Sequence, residues 1–314
     1  MLPGDRNANP FPQKALYVTG NFRQTMQVLP SKELMPFIKH YLFLESERSS
    51  IKKFRLFSDG HTGMVFSFKG NLISNIQNKA LLDYLPASFV YGQISEFKDL
   101  YLATDASLVI VVFQPAGLNQ LMGIPAAELR DNIIGTEYLF GWQGLNLQAK
   151  LFEQNNFQDQ IRILNAFFIE LAAKKAIVNQ VLIEASINFI FKNKGANSIH
   201  QLVKHVGYTE RHIERTFIEC IGLGPKKFGN IVKLHSFLKL LKGKSKHNNL
   251  TKISYEAGYS DQSHLIKEFR KYTGITPNEY LHKTNKLTIN LMEVNSSQST
   301  VEAMSGLYNF SGKL

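Results

Sequence analysis

Residues 202–217 read LVKHVGYTERHIERTF and are followed by GLGP at 222–225; residues 253–269 read ISYEAGYSDQSHLIKEF and are followed by GITP at 274–277. The two stretches are copies of one unit. Gly207 matches Gly258, Tyr208 matches Tyr259, Thr209 matches Ser260, Phe217 matches Phe269, Gly222 matches Gly274 and Pro225 matches Pro277. The offset is 51 residues at the turn glycines and 52 from Phe217 onward, which places one inserted residue near the start of the second helix. Each copy opens with a short apolar-periodic helix, carried by Ile199, Leu202, Val203 and Val206, then by Ile253 and Ala257. A glycine ends it, where left-handed backbone suits the residue after a helix. The tyrosine that follows is expected to lie between the two helices. Thr209 and Ser260 stand where the next helix needs an N-cap, each followed by an acid, Glu210 or Asp261.

The longer helices, about 209–221 and 261–273, place Ile213 and Phe217, or Leu265 and Phe269, four apart on one face. The opposite face carries Arg211, His212, Glu214 and Arg215 in the first copy. In the second it carries Gln262, Ser263, His264, Ile266, Lys267 and Arg270. Core on one side and long hydrogen-bonding side chains on the other is what a major-groove helix requires. One glycine turn between helices is common in ordinary helical hairpins. Two matched copies with shared Gly-Tyr, Phe and Gly-x-x-Pro landmarks argue for two helix-turn-helix motifs.

Charge follows the motif. Residues 176–286 carry a net charge of +10, residues 1–175 only +2 and residues 287–314 −1. Basic charge concentrated on the duplicated segment is the footprint of phosphate binding. A chain of 314 residues with 44% hydrophobic residues has room for two cores. No run approaches 18 apolar residues and the N-terminus has no apolar signal-peptide core, so neither a membrane span nor secretion is expected. Cys220 is the only cysteine, which excludes intrachain disulfides and thiolate zinc sites; its expected role is a small buried hydrophobe, in a reducing cytoplasm.

The remaining chain is β-rich up to residue 113. FRLFSDGHTGMVFSF (54–68) has an Asp59-Gly60 turn signal between two strand-like runs, as in a hairpin. Further short runs, such as SLVIVVFQP, point to a small sandwich or barrel. Pro115 and Pro125 each precede a short helix. Phe157, Ile161, Leu164, Phe168 and Leu171 form a helical stripe that must bury against the β-rich half or against a second subunit. PKKFGNIVKLHSFLKLLKG (225–243) is a long helix with an apolar face that sets the distance between the two units. The fold class is thus α+β: a β-rich sensor-like domain with flanking helices (1–175), an all-α module with two helix-turn-helix motifs (176–286) and a weakly ordered tail (287–314).

Residues 176–283 resemble the arabinose-regulator (AraC/XylS) family of bacterial transcription factors. The most specific stretch is YEAGYSDQSHLIKEFRKYTGITPNEY (255–280). The segment FSDGHTGMVFSF resembles one uncharacterised subgroup. The resemblance implies a seven-helix module whose two recognition helices enter successive major-groove segments. By position, Arg211, Glu214, Arg215, Gln262, Ser263, His264 and Lys267 are then candidates for base contacts. Thr209, His212, Lys227, Ser260 and Lys271 are candidates for phosphate contacts. Three positions depart from the family: Ser254 and Val203 stand where alanine is usual, and Lys267 replaces a frequent arginine. The expected partner is double-stranded DNA, with RNA polymerase, a small-molecule effector and a second copy of the chain as further candidates. No cofactor, metal or membrane partner is expected.

The rivals are a cupin-like enzyme in the β-rich half and a non-specific DNA-packaging protein. His40 and His61 are the only histidines before residue 200, and no H-x-H pattern surrounds them. Cys220 is too isolated for a DNA-repair alkyltransferase. No Walker loop, nucleophile elbow or dinucleotide fingerprint is present, so no catalytic residue is assigned. Packaging would not need two recognition faces that differ at nearly every exposed position.

Overall fold

The computed structural model describes residues 16–17, 24–46, 52–78, 81–174, 180–243, 250–282, 285–288 and 290–294. Nine strands come first: β1 (Leu16–Tyr17), β2 (Gln24–Val28), β3 (Ile38–Ser46), β4 (Lys52–Leu56), β5 (Gly63–Asn78), β6 (Leu81–Tyr84), β7 (Ser88–Tyr91), β8 (Lys98–Phe113) and, after two short helices, β9 (Ile133–Gly135). Those helices are α1 (Gly117–Met122) and α2 (Ala126–Leu129); α3 (Thr136–Phe140), α4 (Trp142–Phe152) and α5 (Phe157–Ala173) follow β9. The strands form one curled antiparallel sheet in which β8 pairs with β3, β4 and β5.

Period-two alternation gives this sheet two apolar faces. Tyr41, Phe43, Met64, Phe66, Val109, Val111 and Phe113 point to one face, where α1, α4 and α5 cover them. Leu42, Leu44, Val65 and Leu108 point to the other. The α5 stripe settles on the first face. Ile161, Leu164 and Phe168 are buried there, with the Phe168 ring 5.6 Å from Phe113 and Phe157 4.8 Å from Phe43. Core packing, not a second subunit, covers that stripe.

The hairpin reading of residues 54–68 is corrected. β4 and β5 do not pair with each other, because β8 stands between them. The connecting loop leaves the sheet instead. Phe57 is fully buried in the core of the C-terminal helices. Gly60 takes φ +81° and lies under Phe228; a Cβ there would come within 3.0 Å of that ring.

The helical module comprises α6 (Gln180–Lys192), α7 (Ile199–Val206), α8 (Glu210–Ile221), α9 (Pro225–Gly243), α10 (Leu250–Glu256), α11 (Gln262–Thr273) and α12 (Pro277–His282). α9 is its spine. Phe228, Ile231, Val232, Leu234, Phe237, Leu238 and Leu241 are all buried, as are Lys233 and His235. These residues encircle the helix, so α9 is a central buried helix and not one with a single apolar face.

The described start of the tail, residues 287–288 and 290–294, is ordered where weak order was expected. Two more strands, β10 (Asn285–Thr288) and β11 (Leu291–Glu293), return to the sheet. β11 pairs antiparallel with β4, and Lys52 Nζ lies 2.6 Å from the Glu293 carboxylate. Residues 295–314 lie outside the described residues.

Candidate nucleic-acid interface

The duplicated motif folds as two equivalent units around α9. Gly207 and Gly258 end α7 and α10 with φ +75° and +85°, and Gly222 and Gly274 end α8 and α11 with φ +85° and +71°. Only glycine adopts these angles at no steric cost. The equivalent phenylalanines dock on α9 nine residues apart: Phe217 lies 6.0 Å from Phe228, and Phe269 lies 6.0 Å from Phe237. Nine helical residues advance about 13.5 Å and turn through about 900°, or half a turn beyond two full ones. The two units therefore dock on opposite sides of one helix.

One of the two caps differs from the sequence expectation. Thr209 caps α8, its hydroxyl accepting from the His212 N–H at 3.3 Å. In the second copy Asp261, not Ser260, is the cap, accepting from the His264 N–H at 2.7 Å. The inserted residue shifts the cap by one place, and Ser260 instead donates to the Asp261 carboxylate at 3.2 Å. The His264 N–H, with the Ser260 hydroxyl, holds the Asp261 carboxyl below the usual carboxylate range. Asp261→Ala is expected to lower the urea midpoint, and Ser260→Ala to lower it less. Urea unfolding of the two variants checks this; equal losses would return the cap to Ser260.

The tyrosines also part company. Tyr259 is buried, with its ring 6.3 Å from Phe237 and the Lys233 ammonium 4.4 Å from the ring centroid. Tyr208 is 49% exposed and stacks on His212 at 5.3 Å. It belongs to the outward surface of the first unit, where sequence matching to Tyr259 concealed it.

On α8, Arg211, Glu214 and Arg215 are exposed, and an Arg215 guanidinium nitrogen sits 3.2 Å from His212 Nδ1. On α11, Ser263, His264 and Lys267 are exposed. Gln262 is half-buried, and its side-chain oxygen accepts from Thr251 on α10 at 2.8 Å. His264 Nε2 is 3.9 Å from Glu268, which also faces Lys233 at 3.5 Å. Ser260 and Lys271 are exposed at either end of α11. Lys227 is half-buried at the start of α9; burial lowers its pKa, and the nearby Asp131 of the β-rich half opposes that shift.

The unusual residues are accommodated. Ser254 is fully buried and donates to the Thr251 carbonyl at 2.6 Å, so its hydroxyl is satisfied. Cys220 is buried, and that burial, with Glu219 beside it, pushes its thiol up to about 11. His61 is no open ligand either. Its Nδ1 meets the Phe113 carbonyl and its Nε2 meets Lys39 Nζ, both at 2.8 Å, and burial drives it down to about 4.

The β-rich half grips both α8 and α11 at their C-terminal ends. α2 lies against α8, where a Cβ at Gly222 would come within 2.8 Å of the Ala126 carbonyl oxygen. An Arg55 guanidinium nitrogen donates to the Thr273 carbonyl at the end of α11 at 3.4 Å. Midway between, His235 Nε2 on α9 meets the Ser58 carbonyl at 3.0 Å. The outward N-terminal halves of α8 and α11 are left exposed.

Residues 202–283 match the model of a helix-turn-helix domain, and residues 26–135 match that of a domain of unknown function (DUF6597). An uncharacterized HTH-type transcriptional regulator from Haemophilus influenzae is 28% identical over 117 residues, 33% of this chain and 39% of that protein. Another from Staphylococcus aureus is 29% identical over 84 residues, 26% of this chain and 11% of that protein. The chain thus spans well under half the length of these curated relatives. Among solved structures, ToxT from Vibrio cholerae superposes on 76% of this chain and 96% of its own, at 12% identity and TM-score 0.40. The xylose-binding transcription activator xylR superposes on 39% and 38%, at 18% identity and TM-score 0.29. Through residues 202–283, this chain carries a helix-turn-helix domain similar to those of HTH-type transcriptional regulators.

Proposed function

We propose that the chain is a sequence-specific DNA-binding transcriptional regulator and not an enzyme. The observation that carries this reading is the pair of equivalent helices, α8 and α11, docked on opposite sides of α9 with their polar N-terminal faces turned outward. In this reading each helix enters one of two successive major-groove segments. Arg211, Glu214, Arg215, Gln262, Ser263, His264 and Lys267 read base edges, and Thr209, His212, Lys227, Ser260 and Lys271 meet phosphates. Residues 176–286 form the DNA-binding domain. Residues 1–175 form a sensor or assembly domain whose contacts with both recognition helices give an effector a route to DNA affinity. A cytoplasmic location and contacts with RNA polymerase or a second copy belong to the same reading. The differing polar faces of α8 and α11 favour it over non-specific packaging, which gains nothing from two distinct readers.

Selecting bound fragments from a genomic library with the purified full chain yields the cognate site. Arg215→Ala and Gln262→Ala are then each expected to relax specificity at a few base pairs, at a cost of about 1–3 kcal/mol at the cognate base. The two sets should lie about one helical turn, roughly 34 Å, apart. Footprints that place both changes at the same base pairs would overturn the two-groove geometry.

A further inference from the structure

Three side chains of the first helix-turn-helix unit are linked end to end on its outward surface. Tyr208 stands just before the Thr209 cap and is exposed. Its ring stacks on His212, with centroids 5.3 Å apart and planes at 22°. Aromatic rings at that separation attract each other beyond the area they bury. The backbone of His212 is fixed as well, since its N–H donates to the Thr209 hydroxyl at 3.3 Å. One turn further on, an Arg215 guanidinium nitrogen lies 3.2 Å from His212 Nδ1. Arginine can only donate, so Nδ1 accepts and carries no proton. The spacings of four and three residues line the three side chains up along one edge of the unit.

The second unit holds its counterparts differently. Tyr259 is buried against Lys233 and meets the His264 ring edge-on, at 5.7 Å and 70°. The two ring nitrogens of His264 face Ser260 at 3.4 Å and Glu268 at 3.9 Å, so neither is turned to Lys267, the counterpart of Arg215. A lysine is a point charge on a flexible stem, whereas an arginine is a planar fork whose direction decides what it can read. In the first unit that fork is held by a ring nitrogen, which leaves its positive charge for DNA. One of its five N–H groups is engaged by His212, and the remaining four suffice for the two that a bidentate contact with guanine O6 and N7 needs.

We propose that Tyr208 is a positioning residue for base reading: its ring holds His212, and His212 holds the Arg215 guanidinium in its reading direction before DNA arrives. The proposal rests on α8 being a recognition helix and names what sharpens specificity in the first unit. A free arginine side chain has many rotamers, and ordering it on binding lowers affinity. A side chain ordered in advance by its neighbours avoids part of that loss. The gain falls on the base contact, which needs a fixed direction, more than on phosphate contacts, which do not.

The test uses the full chain and two duplexes: the one selected from the genomic library, and a copy in which the base pair that depends on Arg215 is replaced. Tyr208→Leu is expected to lower discrimination between them about three- to tenfold, the effect of one side chain no longer ordered in advance. Tyr208→Phe keeps the ring and should stay within about twofold of the unmodified chain, and in an Arg215→Ala background Tyr208→Leu should remove no further discrimination. Without DNA, nitrogen-15 relaxation should show the order parameter of the Arg215 Nε–H bond falling in Tyr208→Leu and holding in Tyr208→Phe. Equal losses of discrimination in the two variants, a Tyr208→Leu loss that persists in Arg215→Ala, or an unchanged order parameter would each overturn the proposal. The order parameter is measured on the free chain, so a failure of the side-chain linkage is separable from a failure of the DNA-binding reading. Should Arg215→Ala relax no base pair, the reading of α8 fails and the proposal with it.

Discussion

Phe237→Ala is expected to destabilise the helix-turn-helix module by about 3–5 kcal/mol, the usual cost of truncating a fully buried phenylalanine. Phe237 has no exposed surface and stands beside both Tyr259 and Phe269. Removing its ring leaves a cavity where the second unit docks on α9. Phe228, beside Phe217, Phe191 and Gly60, plays the same part for the first unit and for the seam with the β-rich half. Loss of either ring should therefore lower stability and also loosen the spacing of the recognition helices. Urea unfolding gives the first quantity and binding to the selected DNA site the second. A Phe237→Ala protein with an unchanged urea midpoint would mean that α9 is not the spine described above.

The second large effect is on DNA affinity. Among the described residues, Lys204, Arg211, Arg215, Lys252, Lys267, Arg270 and Lys271 are exposed cations on the two helix-turn-helix units. If about six of them neutralise phosphates, affinity should fall roughly a thousandfold between 50 and 200 mM salt, because log K falls by about 0.9 per contact for each log unit of salt. Fluorescence anisotropy with the full chain measures the slope. A slope shallower than about −2 would leave the +10 charge of residues 176–286 without its assigned role. The full chain is the right material for this. Phe57 and Met292, from outside the helices, are fully buried in the module's core, so a fragment of residues 176–286 lacks part of that core.

Much of the module was legible in the sequence because its determinants are local. The left-handed glycines at 207, 222, 258 and 274 follow from helix-ending backbone geometry. The spacings Ile213–Phe217 and Leu265–Phe269 follow from helical periodicity, and all four residues are buried. Where the copies diverge, local reading failed. The same Gly-Tyr pair leads to an exposed Tyr208 and a buried Tyr259, because only the latter has Lys233 and Phe237 against it. The cap moved from Ser260 to Asp261 because the inserted residue could be placed at either position until the helix register was known.

The sequence by itself determined two helix-turn-helix units, a basic C-terminal module and a β-rich partner, since periodicity, turn residues and charge all act over a few residues. Tertiary structure alone decided that Asp59-Gly60 is not a hairpin turn: β8 inserts between β4 and β5, and strand pairing depends on residues some 40 positions away. It alone decided that α5 packs on the sheet rather than on a second subunit, since an apolar stripe does not encode what covers it. It alone returned residues 291–293 to β4. That pairing joins residues 237 positions apart, Arg55 and Met292, and such a contact leaves no periodic trace in either stretch.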